Sequence, residues 1–210
     1  MFDSLNSLTP SNLQLGEGVL LRGVDLDAVL RQEDPAAAMA GMVQDPQKLI
    51  GAVKDGCVFR CAPDMLYPTA RGKRPPAAGE TLCGSWTVTL SGTLIALSPI
   101  SASLLLNMPL STIGHNHTTV APKPTPVPAA KGSLCWVGAV GTRTAVIELH
   151  NPIATSGLML KTRRGGTGEM PFSFMAQKSD PAAAALPCRI VWLTGGEAAC
   201  PLKCNAHWLR

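Results

Sequence analysis

The sequence predicts a mainly β protein, a sandwich or partial barrel with one or two short helices, and three observations carry that prediction. Glycine (20 residues) and proline (18) are abundant in a chain of 210, which favours short strands and turns over long helices. Between residues 85 and 97, Trp86, Val88 and Leu90 alternate with Ser85, Thr87, Thr89 and Ser91, the period of two expected of a strand with one buried face. Further β-branched and aromatic runs follow at short intervals, separated by glycine-containing turns. A chain of this length can bury a core without staples, because it removes roughly 70% of its unfolded surface from water.

Taken in order, residues 1–12 read as a polar N-terminal arm, rich in Ser and Asn and containing Pro10. Residues 13–23 read as a first strand. Asp34-Pro35 is a helix start, with aspartate as N-cap and proline at the first helical position, and Asp45-Pro46 ends that helix. Residues 52–62 have the composition of a strand, bent or bulged at Asp55-Gly56. Residues 63–80 form a long loop holding Arg71, Lys73 and Arg74 beside Pro75-Pro76. After the 85–97 strand, residues 100–108 fit a short helix between Pro99 and Pro109, and residues 122–128 an extended linker. Strands are expected over 134–140, 144–150, 158–163, 170–177 and 188–193, with Gly141-Thr142 and residues 164–168 as hairpin turns. Phe172 and Phe174 should share a buried face with Trp86, Val88 and Leu90. Residues 194–210 are a C-terminal extension.

Charge is sparse: Asp, Glu, Lys and Arg make up 15% of the chain, against roughly 25% in an ordinary soluble domain. That composition excludes charge-driven disorder, coiled coils and helical bundles, and a surface so poor in charge favours association. The formal charge is +4, unevenly spread, since residues 1–45 hold seven acids against two bases. An acidic end and a basic body suit head-to-tail self-association as well as nucleic acid. From Thr81 to Pro122 there is no charged residue, but Ser, Thr, Gly and Pro interrupt the run throughout, so no membrane span is expected. The first residues lack a basic, then apolar, export signal.

Catalytic patterns are poor, and no enzyme activity is expected. His115 and His117 lie in a Thr-rich stretch without a neighbouring carboxylate, and Arg163-Arg164-Gly165-Gly166 lacks the Gly-Lys-Ser/Thr of a phosphate-binding loop. Seven cysteines without an export signal read as reduced thiols. Cys57 and Cys61 fall in a strand, where positions i and i+4 are about 13 Å apart and cannot share one ion. No metal or cofactor is therefore assigned. Two alternatives stay open: a nucleic-acid-binding β-barrel using Arg71, Lys73, Arg74, Arg163 and Arg164, and a small zinc module at Cys200, Cys204 and His207.

The order of segments adds a direction. LQLGEGVLLRGVD, GAVKDGCVFRCAP and GSWTVTLSGTLIAL, then a short helix, then CWVGAVGTRTAVIELHNPIATSGLMLKTRRGGTGEMPFSFMAQKSDP, together resemble the major tail tube proteins of tailed bacteriophages over residues 13–193. The resemblance implies a β-sandwich or partial-barrel protomer with a short flanking helix, six of which form a ring. Stacked rings would form a tube in the virion tail, assembled in the host cytoplasm, through which double-stranded DNA passes. Implied partners are the chain itself, the tape measure, tail terminator and tail tip proteins, and a sheath if the tail contracts; no membrane is involved. Four strands from each of six subunits, at about 4.8 Å spacing and about 40° tilt, would leave a lumen of roughly 35–40 Å. A wall past which DNA slides should not hold phosphates, so Thr87, Thr89, Ser91 and the acidic Glu148 are the expected lumen-facing residues. Arg71, Lys73 and Arg74 are the expected ring-stacking residues, meeting the acidic N-terminal region of the next ring.

Overall fold

A computed structural model of the chain describes residues 17–66, 82–95, 97–108, 111–112, 118–120, 122, 132–140, 143–161, 168–180 and 185–193. The protein is mainly β. Strands β1 (Gly18–Arg22), β2 (Leu49–Leu66), β3 (Leu82–Leu94), β6 (Ser133–Val140), β7 (Arg143–His150), β8 (Ile153–Ala154), β9 (Met170–Met175) and β10 (Cys188–Leu193) form one eight-stranded sheet. Its order is β10-β7-β6-β1-β2-β3-β9-β8, and every pairing is antiparallel. Strands β4 (Ser111–Thr112) and β5 (Thr118–Thr119) pair separately.

Three short helices accompany the sheet: α1 (Leu26–Leu30), α2 (Pro35–Gln44) and α3 (Pro99–Leu105). Each starts on a side-chain cap that satisfies otherwise orphaned backbone N–H groups. Asp34 accepts from the amides of Ala36 and Ala37, with Pro35 in the first turn, as the sequence predicts. Asp25 accepts from Ala28 to open α1, a helix the sequence reading did not anticipate. Ser98 and Ser101 form a reciprocal capping box at the start of α3.

The sheet is rolled rather than flat. Strand β7 lies second from one edge and β8 at the other, six inter-strand steps away. In a flat sheet those steps would separate them by about 29 Å. Only Asn151 and Pro152 join the two strands, a link that reaches at most about 11 Å. Asn151 makes the corner with φ of 44°, and Gln177 beyond β9 donates to the carbonyl of His150 at 3.0 Å, so the two margins of the sheet meet.

Rolling creates an interior and an exterior, each with its own core. The interior cluster includes Leu20, Ile50, Val53, Val88, Leu90, Leu94, Leu105, Trp136, Ile147, Leu149, Phe172 and Phe174. Val88, Leu90, Phe172 and Phe174 therefore share a buried face as expected. Trp86 has the same phase yet is 45% exposed, because it lies beyond the point where β9 stops pairing with β3. The indole of Trp136 lies against Gly18 and Gly138, paired residues on β1 and β6; a Cβ on Gly138 would sit 2.3 Å from the ring. On the exterior, α1 and α2 bring Leu26, Val29 and Met39 onto Val19, Leu21, Cys135, Val137, Val146 and Leu193. These residues belong to β1, β6, β7 and β10, so the helices cover half of the outer face.

Strand ends shift from the sequence reading where tertiary pairing sets them. The Asp55-Gly56 bulge is present, with φ of 57° and 86° and a register shift between Lys54 and Cys57. Strand β2 then continues through Leu66, so residues 63–66, expected in a loop, are strand. The strand expected over 158–163 is reduced, among its described residues, to a single bridge between Lys161 and Glu169.

Candidate assembly surface

The half of the outer face that α1 and α2 leave bare is built by β2, β3 and β9. Cross-strand partners point to the same side of a sheet, so register alone defines this strip. Thr87 opposes Ala62, Thr89 opposes Arg60 and Met175, and Ser91 opposes Val58 and Ser173. Thr87, Val58 and Arg60 are exposed, while Thr89, Ser91, Ser173 and Met175 are half-buried. Thr87, Thr89 and Ser91 thus lie together on one accessible, hydroxyl-rich strip. Arg60 was not anticipated there. Its placement depends on the bulge at residues 55–56, which resets the phase of β2 against β3.

Among the described residues, no further strand pairs with β2 or β3 beyond this strip. Strand β1 pairs with β2 only through residues 49–53, and β9 pairs with β3 only through residues 89–94. The stretch from Cys57 to Leu66 against Leu82 to Gly92 is therefore, towards its tip, a two-stranded ribbon with both outer edges open among the described residues. The tip carries Met65 and Trp86 at 40% and 45% exposure, and Val58, 65% exposed, lies before it on the strip opposite Ser91. Large exposed apolar groups on a projecting two-stranded ribbon mark a contact surface more readily than a solvated one.

The margins of the sheet are unlike. At β8, the side-chain amide of Asn107 donates to the carbonyl of Ala154 and accepts from its N–H, both at 2.8 Å, and so occupies the outward backbone groups of that strand. At β10, no described strand lies beyond, and Ile190 and Trp192 are exposed.

Glu148 is not on the open strip. It faces the helix-covered half of the exterior and is 5% exposed. Arg189 on β10 donates to its Oε2 from Nη2 and Nε, at 2.8 and 3.1 Å, and reaches Asp27 of α1 from Nη1 at 2.6 Å. His150 Nε2 stands 3.3 Å from the same Glu148 oxygen. The expectation of a lumen-facing acid at this position is therefore corrected: the carboxylate is enclosed beneath α1 and neutralised by a guanidinium. Sequence could not show this, because Arg189 lies 41 residues away. The hydrogen bond and charge of Arg189 hold the Asp27 carboxyl below the usual carboxylate range, and the bond to Asp27, then that to Glu148, raises Arg189.

The expected ring-stacking residues Arg71, Lys73 and Arg74 lie outside the described residues, as do Arg163, Arg164, His115, His117, Cys200, Cys204 and His207. Among the described residues, no group of three or more His, Cys, Asp or Glu side chains comes together to hold a metal ion. Cys57 and Cys135 are buried thiols pushed up to about 12, chiefly by desolvation. No helix among the described residues is long and apolar enough to cross a membrane. No protein-family model matches this chain, and no curated protein matches it in sequence.

Proposed function

We propose that the chain is a structural, self-assembling subunit of a phage tail tube, forming hexameric rings that stack into a conduit for double-stranded DNA. The observation that carries this reading is the open Ser/Thr strip over β2, β3 and β9, on the half of the sheet no helix covers, continuing into a projecting ribbon with apolar side chains. Neutral hydroxyls hydrate well and do not retain phosphates, which suits Thr87, Thr89 and Ser91 to a lumen wall, while Arg60 is a cation on the same strip opposite Thr89. The ribbon ends at Leu66 and Leu82, which flank the segment containing Arg71, Lys73 and Arg74; on this reading those three residues meet the acidic N-terminal region of a neighbouring ring. The chain's partners on this reading are other copies of itself and the tape measure, terminator and tip proteins, with a sheath in a contractile tail.

Negative-stain microscopy of the purified protein, alone and with a nucleating tail tip, tests the proposal. Hollow tubes of constant width are expected. A species that stays monomeric at high concentration with the tip present overturns it.

Arg60 favours a second reading, a duplex-DNA-binding β-barrel, because it places a guanidinium on the same strip opposite Thr89. On that reading the monomeric chain binds duplex DNA with an affinity that falls steeply with salt, and Arg60→Ala weakens it. A tube subunit shows little such affinity.

A further inference from the structure

A cavity of about 420 Å³ lies at the end of the rolled sheet where β1 finishes. Its walls come from the last residue of β1, the turn before β2, the start of β6, the corner between β7 and β8, and α3. Leu20 belongs to the interior cluster, so Arg22, two residues on, turns to the same side, opposite the interior Leu134. Leu104 and Pro152 complete the apolar part of the lining. Bonds within the protomer fix these walls. Ser133 Oγ donates to the carbonyl of Val24 at 2.7 Å, the Gly23 amide to that of Ser133 at 2.9 Å, and the Asn151 amide to that of Gly132 at 2.9 Å. Asn107, just past α3, ties that helix to β8 through its two bonds with Ala154.

The two cations of the lining are not engaged in this way. Arg22 donates from Nε to the carbonyl of Gln47 at 3.1 Å, which anchors the guanidinium, and neither Nη group bonds to a described residue. Lys48 Nζ lies 2.9 Å from the thioether sulfur of Met42, a weak acceptor. Neither cation makes an ion pair with a described residue, and no Asp or Glu is among the residues that line the cavity.

We propose that this mouth of the rolled sheet is a binding site for a small carboxylic acid with a short apolar body. The carboxylate sits on Arg22, whose fork of N–H groups matches two oxygens. Lys48 adds a second positive charge, and the body lies on Leu104, Leu134 and Pro152. A phosphate fits less well, because its third oxygen would be set against the apolar wall. The volume falls within the roughly 300–1,000 Å³ usual for ligand cavities, which recur in the mouths of β-barrels. The inference is independent of the assembly reading, since none of these residues is on the open strip or the ribbon.

Hexanoate is the probe, titrated into the full-length chain by calorimetry and followed by amide NMR. Saturable binding is expected, with shifts in the amide signals of Gly23, Ser133 and Leu134. Butanoate and acetate should bind progressively more weakly, by up to about fourfold for each methylene removed. Hexanamide, which keeps the body and loses the charge, should bind at least about tenfold more weakly than hexanoate. Arg22→Gln should weaken hexanoate by a similar factor, and Arg22→Lys, which keeps the charge but not the fork, should recover only part of it. Circular dichroism verifies the fold of both variants, and the ligand series on the unaltered chain decides the matter without them. Absence of saturable hexanoate binding, or equal affinity for hexanoate and either hexanamide or acetate, overturns the proposal. So does inorganic phosphate that shifts the same amides at lower concentration than hexanoate.

Discussion

A single alanine at Gly138 should cost more than any surface change, and the reason is a ring. Gly138 pairs with Gly18, and the indole of Trp136 lies against both. A Cβ built on Gly138 would stand 2.3 Å from Cζ2, 2.7 Å from Cη2 and 2.9 Å from the Glu17 carbonyl oxygen. Trp136 is 0% exposed, so the ring has no solvent to swing into. Overpacking of this kind costs about 1–3 kcal/mol or more, offset by about 0.5–1 kcal/mol because alanine loses less freedom than glycine in a strand. The net loss of about 2 kcal/mol should lower Tm by about 4–8 °C in calorimetry. Gly41 is the control, since it lies on α2 with nothing within 4 Å of its absent Cβ. Gly41→Ala should add about 1 kcal/mol and raise Tm by about 2–4 °C. Adding Trp136→Phe to Gly138→Ala should recover part of the loss, a favourable coupling in a double-mutant cycle. A Gly138→Ala protein as stable as wild type would refute the stacking of the indole on this glycine pair.

Phe174 is 1% exposed in the interior cluster, and Phe174→Ala should cost about 3–5 kcal/mol by urea titration; a midpoint within error of wild type would place this strand in the wrong phase. Asp27→Asn should destabilise near neutral pH, with the gap to wild type closing in acid. Because the folded pKa of Asp27 is depressed, its contribution is complete above the ordinary carboxylate value of about 3.9 and disappears as pH falls towards the depressed one. Thermal melts of both proteins at pH 7 and pH 2.5 provide the check, and a gap that persists in acid would exclude this ion pair as its source. On the proposed tube reading, Thr89→Arg, beside Arg60 on the open strip, should leave assembly intact but make tubes retain duplex DNA at low salt and release it at high salt. Tubes that pass DNA as freely as wild type would remove the strip from the lumen.

What could be read from sequence was what local chemistry decides. Asp34-Pro35 announced α2 because an N-cap and a first-turn proline act within four residues. The alternation around Phe172 and Phe174 gave the buried face of β9, and Asp55-Gly56 gave the bulge. Long-range decisions were hidden. Helix α1 is five residues long, too short for an apolar period, although Asp25 was a visible cap. Trp86 obeys the strand alternation yet is exposed, because β3 outruns its neighbour. Glu148 looked like a strand acid free to face solvent until Arg189 arrived from β10 and α1 closed over it. Of the open strip, Thr87, Thr89 and Ser91 were legible from their period, while Arg60 depended on a register that the bulge resets.

In the language of polymer chemistry, Asn107 is an end-cap. By presenting a carbonyl and an amide to Ala154 as a neighbouring strand would, it consumes the reactive backbone groups of the β8 margin within the protomer. A monomer with two equivalent open margins can add copies without limit, the route to uncontrolled fibres. Here the two margins differ in valence, so strand addition through β10 cannot be handed on through β8. On the proposed tube reading, growth would then run through other surfaces, and the exposed Met65 and Trp86 of the β2–β3 ribbon are the apolar groups available for it.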